Sequence, residues 1–515
     1  MAIQIKQIPS NIATITSPLT YNKLQPTNWS QILPVSVANN LDRSEANSIY
    51  KHKYILEVYK DSISDANKIA KLKQRRNNYA TTTNTVSIFD IRAVVNTTLS
   101  ITQADQNATG FQIQKLGKNV GVTDKIFSKN SNQLKTIKFR GSEEYATTST
   151  GIPVEQSEYV TITMYFTQAT FDLFNQAEPS PLSTSSFVMG SSASRFMSDT
   201  PLFNDYKKNN LAIGGASRLE GRINYINKLY DFHTLCFQNY DSFGSAGDFA
   251  ILKYYDSNGV QVGSTYAFPN DADRGGIAPD DGSIDDAGRL LYFGCGTANL
   301  EGYTGDAHKD GAGLSTFDGQ PSAVGTWDYY IIYLASNDTG VTPKSLYYYF
   351  VQYGNTADTL NCKGMEVVRL TWKNSLGAWD YFNFKGGVRR RVDLERKNYS
   401  SLLGSSSLDS NFAYKYYNWE AGNKTLYTKG KMSATLTTDF LNTDEARLLE
   451  FLFKSNEVKV VENKTNTLFD PSSIAMSQPV VITNKTYEIK KTIDLKAQVQ
   501  YTFEVQYSND INTNS

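Results

Sequence analysis

The stretch Tyr159-Val160-Thr161-Ile162-Thr163-Met164-Tyr165-Phe166 indicates the fold most clearly. Its apolar positions, which alternate along the chain, are Val160, Ile162, Met164 and Phe166. The positions between them are Tyr159, Thr161, Thr163 and Tyr165. A period of two is that of a β-strand with one face in a core, and threonine and aromatic residues favour strands. The stretch therefore predicts a half-buried strand.

Similar patterns recur on both sides of this stretch. Further strands are predicted at Tyr54–Tyr59, Ala250–Tyr255, Val260–Tyr266, Tyr329–Leu334 and Ser345–Tyr353. Between the second and third of these lies Asn258-Gly259, two residues that accept a positive φ angle and favour a tight hairpin turn. Short strands joined by turns and by long loops rich in glycine and aspartate are typical of a β-sandwich.

Helical signals are few. Residues 90–99 favour a short helix, and a second helix is expected after Asn442, with Asn442 as N-cap and Glu445 as its capping-box partner. The apolar face of that second helix would be Ala446, Leu448, Leu449, Leu452 and Phe453. A last strand would place Tyr501, Phe503, Val505 and Tyr507 on one face. The end of the chain is therefore predicted to be an α+β unit.

A chain of 515 residues is long enough for roughly three to five domains. We predict a mainly β, multidomain protein with four segments. They are a β-rich domain with a short helical insert (1–180), a linker or extended loop (181–215), a β-sandwich with an aromatic hairpin (216–400) and an α+β domain (401–515). Three stretches are predicted to lack regular structure, namely Lys71–Asn78, Glu178–Asn210 and 302–326. The first is basic and favours a solvated connection, with a contact to an acidic surface of another subunit as the alternative.

The charge balance excludes several classes of protein. Lys and Arg together number 51, as do Asp and Glu, whereas proteins that wrap nucleic acid or lie on anionic lipid need a basic surplus. The sequence has no long apolar run and its start lacks a signal-peptide core, so we expect synthesis in a cytoplasm and no membrane insertion. The three cysteines, Cys236, Cys295 and Cys362, are widely spaced and form no zinc motif.

Catalytic motifs are missing from the sequence. The histidines, His52, His233 and His308, lie far apart, and neither a nucleophile elbow nor a phosphate-binding loop occurs. The carboxylate pair Glu143-Glu144 has no supporting pattern for glycoside hydrolysis. An acidic loop supplies weak calcium ligands, Asp271, Asp273 and Asp285, but its spacing is not that of an EF-hand and favours a solvated turn. We therefore predict no enzymatic activity and no cofactor.

The most distinctive segment is an aromatic hairpin predicted over residues 368–384, followed by Lys385-Gly386-Gly387-Val388-Arg389-Arg390-Arg391. Aromatic residues and arginine are the preferred anchors of protein interfaces. The predicted interface residues are Trp372, Trp379, Tyr381, Phe382, Arg389, Arg390 and Arg391. The alternative is a hairpin buried in a core with an exposed basic end.

The segment Trp372-Lys373-Asn374-Ser375-Leu376-Gly377-Ala378-Trp379-Asp380-Tyr381-Phe382-Asn383-Phe384 resembles a signature of tail structural proteins in tailed bacteriophages, most of all the crAss-like podovirus group. Two further segments match, Arg195–Pro201 and Gln478–Lys490, and the N-terminal block around Tyr54–Tyr59 also fits. The resemblance implies a virion component made in the host cytoplasm: a ring, hub or adaptor subunit that contacts copies of itself and other tail or portal-proximal proteins. DNA would only pass through its channel. A receptor- or carbohydrate-binding tail protein is the alternative, because loops rich in Tyr, Asn and Asp suit sugar recognition.

Overall fold

The computed structural model of the chain describes residues 3–7, 34–39, 48–60, 62–75, 85–98, 113–117, 126–129, 134–167, 195–196, 221–226, 231–238, 248–270, 290–341, 343, 347–352, 367–374, 378–400, 422–441, 443–455, 457–461, 477–484, 500–508 and 511–514. It divides into two compact units, Met1–Asn355 with Lys373–Asp380, and Thr356–Trp372 with Tyr381–Ser515.

Strands dominate both units. Those of the N-terminal half are β1 (Ile3–Gln7), β2 (Pro34–Asn39), β3 (Tyr50–Lys60), β4 (Lys68–Arg75), β5 (Thr85–Asp90), β6 (Phe127–Lys129), β7 (Leu134–Ala146), β8 (Val154–Glu155), β9 (Val160–Thr167), β10 (Arg195–Phe196), β11 (Gly221–Ile226), β12 (Thr234–Gln238), β13 (Phe249–Tyr255) and β14 (Gln261–Pro269). Those that follow are β15 (Leu290–Gly294), β16 (Asp306–Lys309), β17 (Leu314–Thr316), β18 (Tyr329–Ala335), β19 (Tyr347–Gln352), β20 (Val368–Lys373), β21 (Trp379–Phe384), β22 (Gly387–Ser400), β23 (Asn423–Thr437), β24 (Val458–Val461), β25 (Ser477–Ile482), β26 (Thr502–Tyr507) and β27 (Ile511–Asn514). The α-helices are α1 (Arg92–Thr98), α2 (Thr297–Gly302) and α3 (Thr443–Lys454).

Two sheets pack together near the start of the first unit. One has the order β1-β2-β5, and the other has the order β4-β3-β7-β8 with β9 also paired to β7. Alternate residues of each sheet enter a shared core, for example Val35 and Val37 from the first sheet and Leu56 and Phe139 from the second. Helix α1 adds Val95 to this core.

The first unit also contains a β-sandwich. A sheet of order β10-β12-β15-β6 shares one core with a sheet of order β11-β19-β18-β13-β14-β16-β17. Phe237 and Phe293 enter that core from the first sheet, and Leu252 and Phe350 enter it from the second. Two inner faces that bury alternate residues against each other define this architecture.

The second unit is an antiparallel sheet with one helix. Its order is β21-β20-β24-β25-β26-β23-β22, and β27 pairs with β23. The pairings from β20 to β22 along this order are antiparallel. Helix α3 buries Leu449 and Leu452, and its Phe453 ring lies 5.1 Å from the ring of Phe503 on β26. This arrangement follows from the apolar stripe of the helix and the alternation of the last strand.

The predicted mainly β fold is therefore confirmed. The hairpin predicted around Asn258-Gly259 joins β13 and β14, where Gly259 has a φ of 79° and Asp256 Oδ1 accepts hydrogen bonds from the backbone N–H groups of Asn258 and Val260. The short helix within residues 90–99 is α1, and the later helix is α3. The predicted N-cap Asn442 lies outside the described residues, and the finer four-part division of the chain stays a prediction.

Three predictions of irregular structure were wrong. Lys71–Asn78 is not a connection, because its first part belongs to β4 (Lys68–Arg75), whose lysines face acidic groups of the same sheet. The glycine-rich stretch 302–326 contains β16 and β17. The stretch Glu178–Asn210 contains β10, which pairs with β12, and its remaining residues lie outside the described ones. Charge patterns and glycine content concealed these short strands, although β4 pairs with the preceding strand β3 and β16 pairs with the following strand β17.

Candidate subunit interface

The second unit contains a long, exposed two-stranded arm, formed by β22 and β23. The two strands pair from Gly387↔Thr437 to Ser400↔Asn423. At about 3.3 Å per residue, fourteen residues extend for roughly 45 Å. The outer strand, β22, is the last in the sheet order, and no described strand pairs with its outer edge. The arm therefore offers an edge that a further strand can join.

One face of the arm is largely apolar, with Arg390 and Arg396 of β22 between its apolar residues. On β23, Ala434 and Leu436 are buried and lie in register with Val505 and Phe503 of β26, so the face begins in the core of the unit. Farther out on the same face, Val392 is 46% exposed and Leu394 is 52% exposed. The apolar face thus runs from the core into solvent, which is typical of a surface that packs against a partner.

The opposite face of β22 is charged. Its residues are Arg389, Arg391, Asp393, Glu395 and Lys397. Arg391 Nη2 lies 2.9 Å from Glu504 Oε1 of β26, and Arg391 Nε lies 3.3 Å from Asp393 Oδ1. Exposed ion pairs of this kind contribute little to stability. Charges on such a face instead select the orientation and register of a partner.

The outer edge of β22 is regular over most of its length. Its pairing with β23 is in constant register from Gly387 to Lys397 and shifts only between Lys397 and Asn398. Natural proteins usually shorten, bend or cover an edge strand, because an exposed edge pairs with other chains. A long, regular and partly apolar edge is therefore suited to bind an added strand.

The structure separates the seven predicted interface residues into two groups. Trp372, Trp379 and Tyr381 are buried within the chain, and Phe382 is partly buried with its ring 5.1 Å from that of Phe384. Side chains that are buried in one chain are not available to a second subunit. Trp372, Trp379 and Tyr381 therefore pack inside this chain, whereas Phe382 is only partly buried and stays a predicted interface residue.

The other group lies on the arm and is exposed. Arg389, Arg390 and Arg391 belong to β22, so the basic run is part of a fourteen-residue strand. Sequence reasoning missed the two apolar residues beside it, Val392 and Leu394. The signal for them was the alternation of Val388, Val392 and Leu394 with charged residues, which the run of arginines concealed.

A second group of charged residues lies on the sheet that contains β3, β4 and β7. The buried Glu57 carboxylate accepts a 2.7 Å hydrogen bond from Tyr59 Oη and contacts Lys68 Nζ at 3.1 Å, Lys71 Nζ at 3.3 Å and the Arg140 guanidinium. Burial would raise the pKa of Glu57, but these hydrogen bonds outweigh it and lower the pKa from 4.5 to about 2. Burial beside the Glu57 carboxylate raises the pKa of Tyr59 to about 12. The network stabilises the sheet and leaves Glu57 ionised at neutral pH.

The carboxylate pair Glu143-Glu144 is divided between separate partners. Glu143 Oε2 lies 3.0 Å from His52 Nε2 and accepts a 3.1 Å hydrogen bond from Asn39, while Glu144 contacts Lys53 and Lys73. Glu144 is thus part of structural ion pairs, and Glu143 has hydrogen-bonding partners on β2 and β3.

The weak calcium candidates Asp271, Asp273 and Asp285 lie outside the described residues. Over the described ranges, no group of three or more His, Cys, Asp or Glu side chains is placed to hold a metal ion. In the same ranges, no helix is long and apolar enough to cross a bilayer. Cys236 is a buried free thiol, and burial raises its pKa.

Comparison of the chain with protein-family models gave no match, and comparison with curated proteins gave none either.

Proposed function

We propose that the chain is a non-enzymatic structural subunit of a bacteriophage tail, which oligomerises into a ring or hub around the DNA channel. Its partners would be copies of itself and other tail or portal-proximal proteins, and its location the virion tail after synthesis in the host cytoplasm. The observation that carries the proposal is the arm, with its unpaired edge and an apolar face that continues the core. Edges and faces of this kind assemble chains into larger structures.

Two sequence features support the same function. The segment from Trp372 to Phe384 resembles a signature of phage tail structural proteins. The formal net charge of zero suits a channel wall that lets DNA pass without binding it, because phosphate binding requires a basic surplus.

Assembly can be tested by negative-stain imaging of the purified chain and of a double variant, Val392→Asn with Leu394→Asn. We expect ring-shaped or hub-shaped particles for the wild-type chain and their loss in the variant. A matched control places asparagine at two exposed valines of the first unit, Val260 (61% exposed) and Val341 (77% exposed), and should assemble normally. Uniform single chains in the wild-type preparation would contradict the proposal.

A second candidate function is carbohydrate or receptor binding, and a tyrosine-rich sheet face favours it. On the face of β13, β18 and β19 opposite the sandwich core, the rings of Tyr255 and Tyr329 stack 5.0 Å apart, and those of Tyr333 and Tyr347 lie 4.8 Å apart. Tyr255 and Tyr347 are partly exposed. Of these four side chains, the two partly exposed ones would stack against a sugar ring, because Tyr329 and Tyr333 are buried. Binding of the wild-type chain to host cells, with loss in Tyr255→Ala and Tyr347→Ala, would favour this function over the first.

A further inference from the structure

We propose that the partner of the arm is a second copy of this chain, and that the two β22 strands pair edge to edge in an antiparallel manner centred on Val392. This inference rests on the proposed function, since it names the partner of the arm. It begins from the regular outer edge of β22, from Gly387 to Lys397, which no described strand covers.

The charges on β22 exclude a parallel arrangement. In a parallel pair without a shift, Arg389 and Arg391 of one copy would face the same residues of the other, and Asp393 would face Asp393. Like charges directly opposite each other destabilise a strand pair. An antiparallel arrangement permits opposite charges to meet, because β22 has arginines before Val392 and carboxylates after it.

The charges also select one register. With Val392 opposite Val392, Arg391 faces Asp393 and Arg389 faces Glu395, in both directions across the two-fold axis. Centring the pair on Asp393 would place two aspartates opposite each other, and centring it on Leu394 would place Asp393 opposite Glu395. A shift by one residue would join the charged face of one arm to the apolar face of the other, since side chains alternate between faces.

The apolar face fits the same register. Val392 meets its copy at the centre, and Leu394 lies opposite Arg390, whose aliphatic stem can cover it. The apolar surface that each arm exposes at Val392 and Leu394 would thus lie next to that of the other arm. Burial of this surface drives the association, and the charged face sets its register.

Two other described strand edges, those of β21 and β4, fit β22 less well. At the opposite end of the same sheet, β21 is largely buried, with Trp379 at 2% and Tyr381 at 4% exposure. The edge strand β4 is basic, with lysines at positions 68, 71 and 73 and Arg75. A basic strand would repel the arginines of β22, whereas a second β22 supplies the carboxylates that they need.

The pairing has a consequence for symmetry. A contact between identical surfaces is isologous and stops at two subunits. A ring therefore requires a second, different contact, and the arms would join subunits in pairs within it. Failure of the arm pairing can thus be distinguished from failure of assembly.

Disulfide trapping tests the register directly. Directly opposite residues of an antiparallel pair have Cα atoms about 4.5–5.5 Å apart, which is within the range that a disulfide bridges. Under mild oxidation, Val392→Cys should form a covalent dimer of the full-length chain. Leu394→Cys is the matched control, because its two copies would be four positions apart, roughly 13 Å, and should not cross-link. The double variant Arg390→Cys with Leu394→Cys should cross-link, and the wild-type chain gives the background of the native cysteines.

The outcomes separate the two proposals. Particles without a Val392→Cys dimer, or equal cross-linking at positions 392 and 394, would overturn the register and leave the proposed assembly intact. A wild-type chain that stays single would overturn both.

Charge reversal gives an independent test. Asp393→Arg should weaken self-association about tenfold, since two attractive pairs become repulsive. Arg391→Asp added to this variant should restore the affinity. Equal weakening by the single and the double variant would contradict the pairing.

Discussion

Replacement of Glu57 by glutamine should destabilise the sheet that contains β3, β4 and β7. The side chain is 1% exposed, and its pKa of about 2, against an ordinary value of 4.5, corresponds to about 3 kcal/mol of stability at neutral pH. The ammonium groups of Lys68 and Lys71 are 27% and 34% exposed and can turn towards water in the variant, so we expect a smaller loss of about 2 kcal/mol. Arg140 would lose its buried counter-charge.

The pH dependence of this loss has a definite sign. A carboxylate whose pKa is lowered by folding contributes its full stability above the unfolded value of 4.5, and loses it as the pH falls towards about 2. The wild-type chain should therefore lose this contribution between pH 4.5 and pH 2, whereas Glu57→Gln has none to lose. The difference in stability between the two proteins should shrink across that window.

The assay must report on this sheet alone, because a chain with two compact units does not unfold in a single step. Hydrogen-exchange pulse labelling during urea titrations, followed on peptides from β3 and β7, measures the local free energy of unfolding. Glu155→Gln is the matched control, because Glu155 also pairs with Lys71 but is 34% exposed, and it should cost no more than about 0.5 kcal/mol. Equal stability of Glu57→Gln and the wild-type chain at pH 7, or an undiminished difference at pH 3, would refute the reasoning.

Two further substitutions test the interior assignments. Trp372→Ala should destabilise the second unit by about 3–5 kcal/mol, because the side chain is fully buried, and Trp372→Phe should cost less. Urea unfolding followed by hydrogen exchange on peptides of β20 and β24 checks this. An unaffected unfolding midpoint in Trp372→Ala would contradict the burial. Gly296→Ala should cost about 1–3 kcal/mol, since a Cβ atom there would collide with the backbone of His233 and Asp231. Gly313→Ala has open space and should leave the stability unchanged. Urea unfolding followed by hydrogen exchange on peptides of β12 and β15 checks this, and equal midpoints for the two variants would contradict the close contact.

Local alternation and turn chemistry made much of the fold predictable from the sequence. The pattern of Val160 and Ile162 predicted β9, whose two side chains pack against a core, and Asn258-Gly259 predicted the hairpin of β13 and β14. Strand β4 was missed because its lysines suggest a solvated loop until the acidic groups of β3, β7 and β8 are placed beside them. That neutralisation depends on residues distant in sequence.

The candidate interface was predictable only in part. Aromatic residues suit both a core and an interface, so the sequence could not decide that Trp372 and Trp379 are buried. The arginines after them were correctly expected to be exposed, in either interpretation. The apolar face beside the arginines became evident only when the pairing of β22 with β23 fixed which residues share a face.

The measurement that tests the central claim most directly is native mass spectrometry of the purified wild-type chain beside the variant Val392→Asn with Leu394→Asn. If the arm assembles the chain, the wild type should give a defined multiple of 57.5 kDa, and the variant should give smaller species under the same conditions. A wild-type chain that remains at 57.5 kDa, or a variant that keeps the wild-type mass distribution, would contradict the claim.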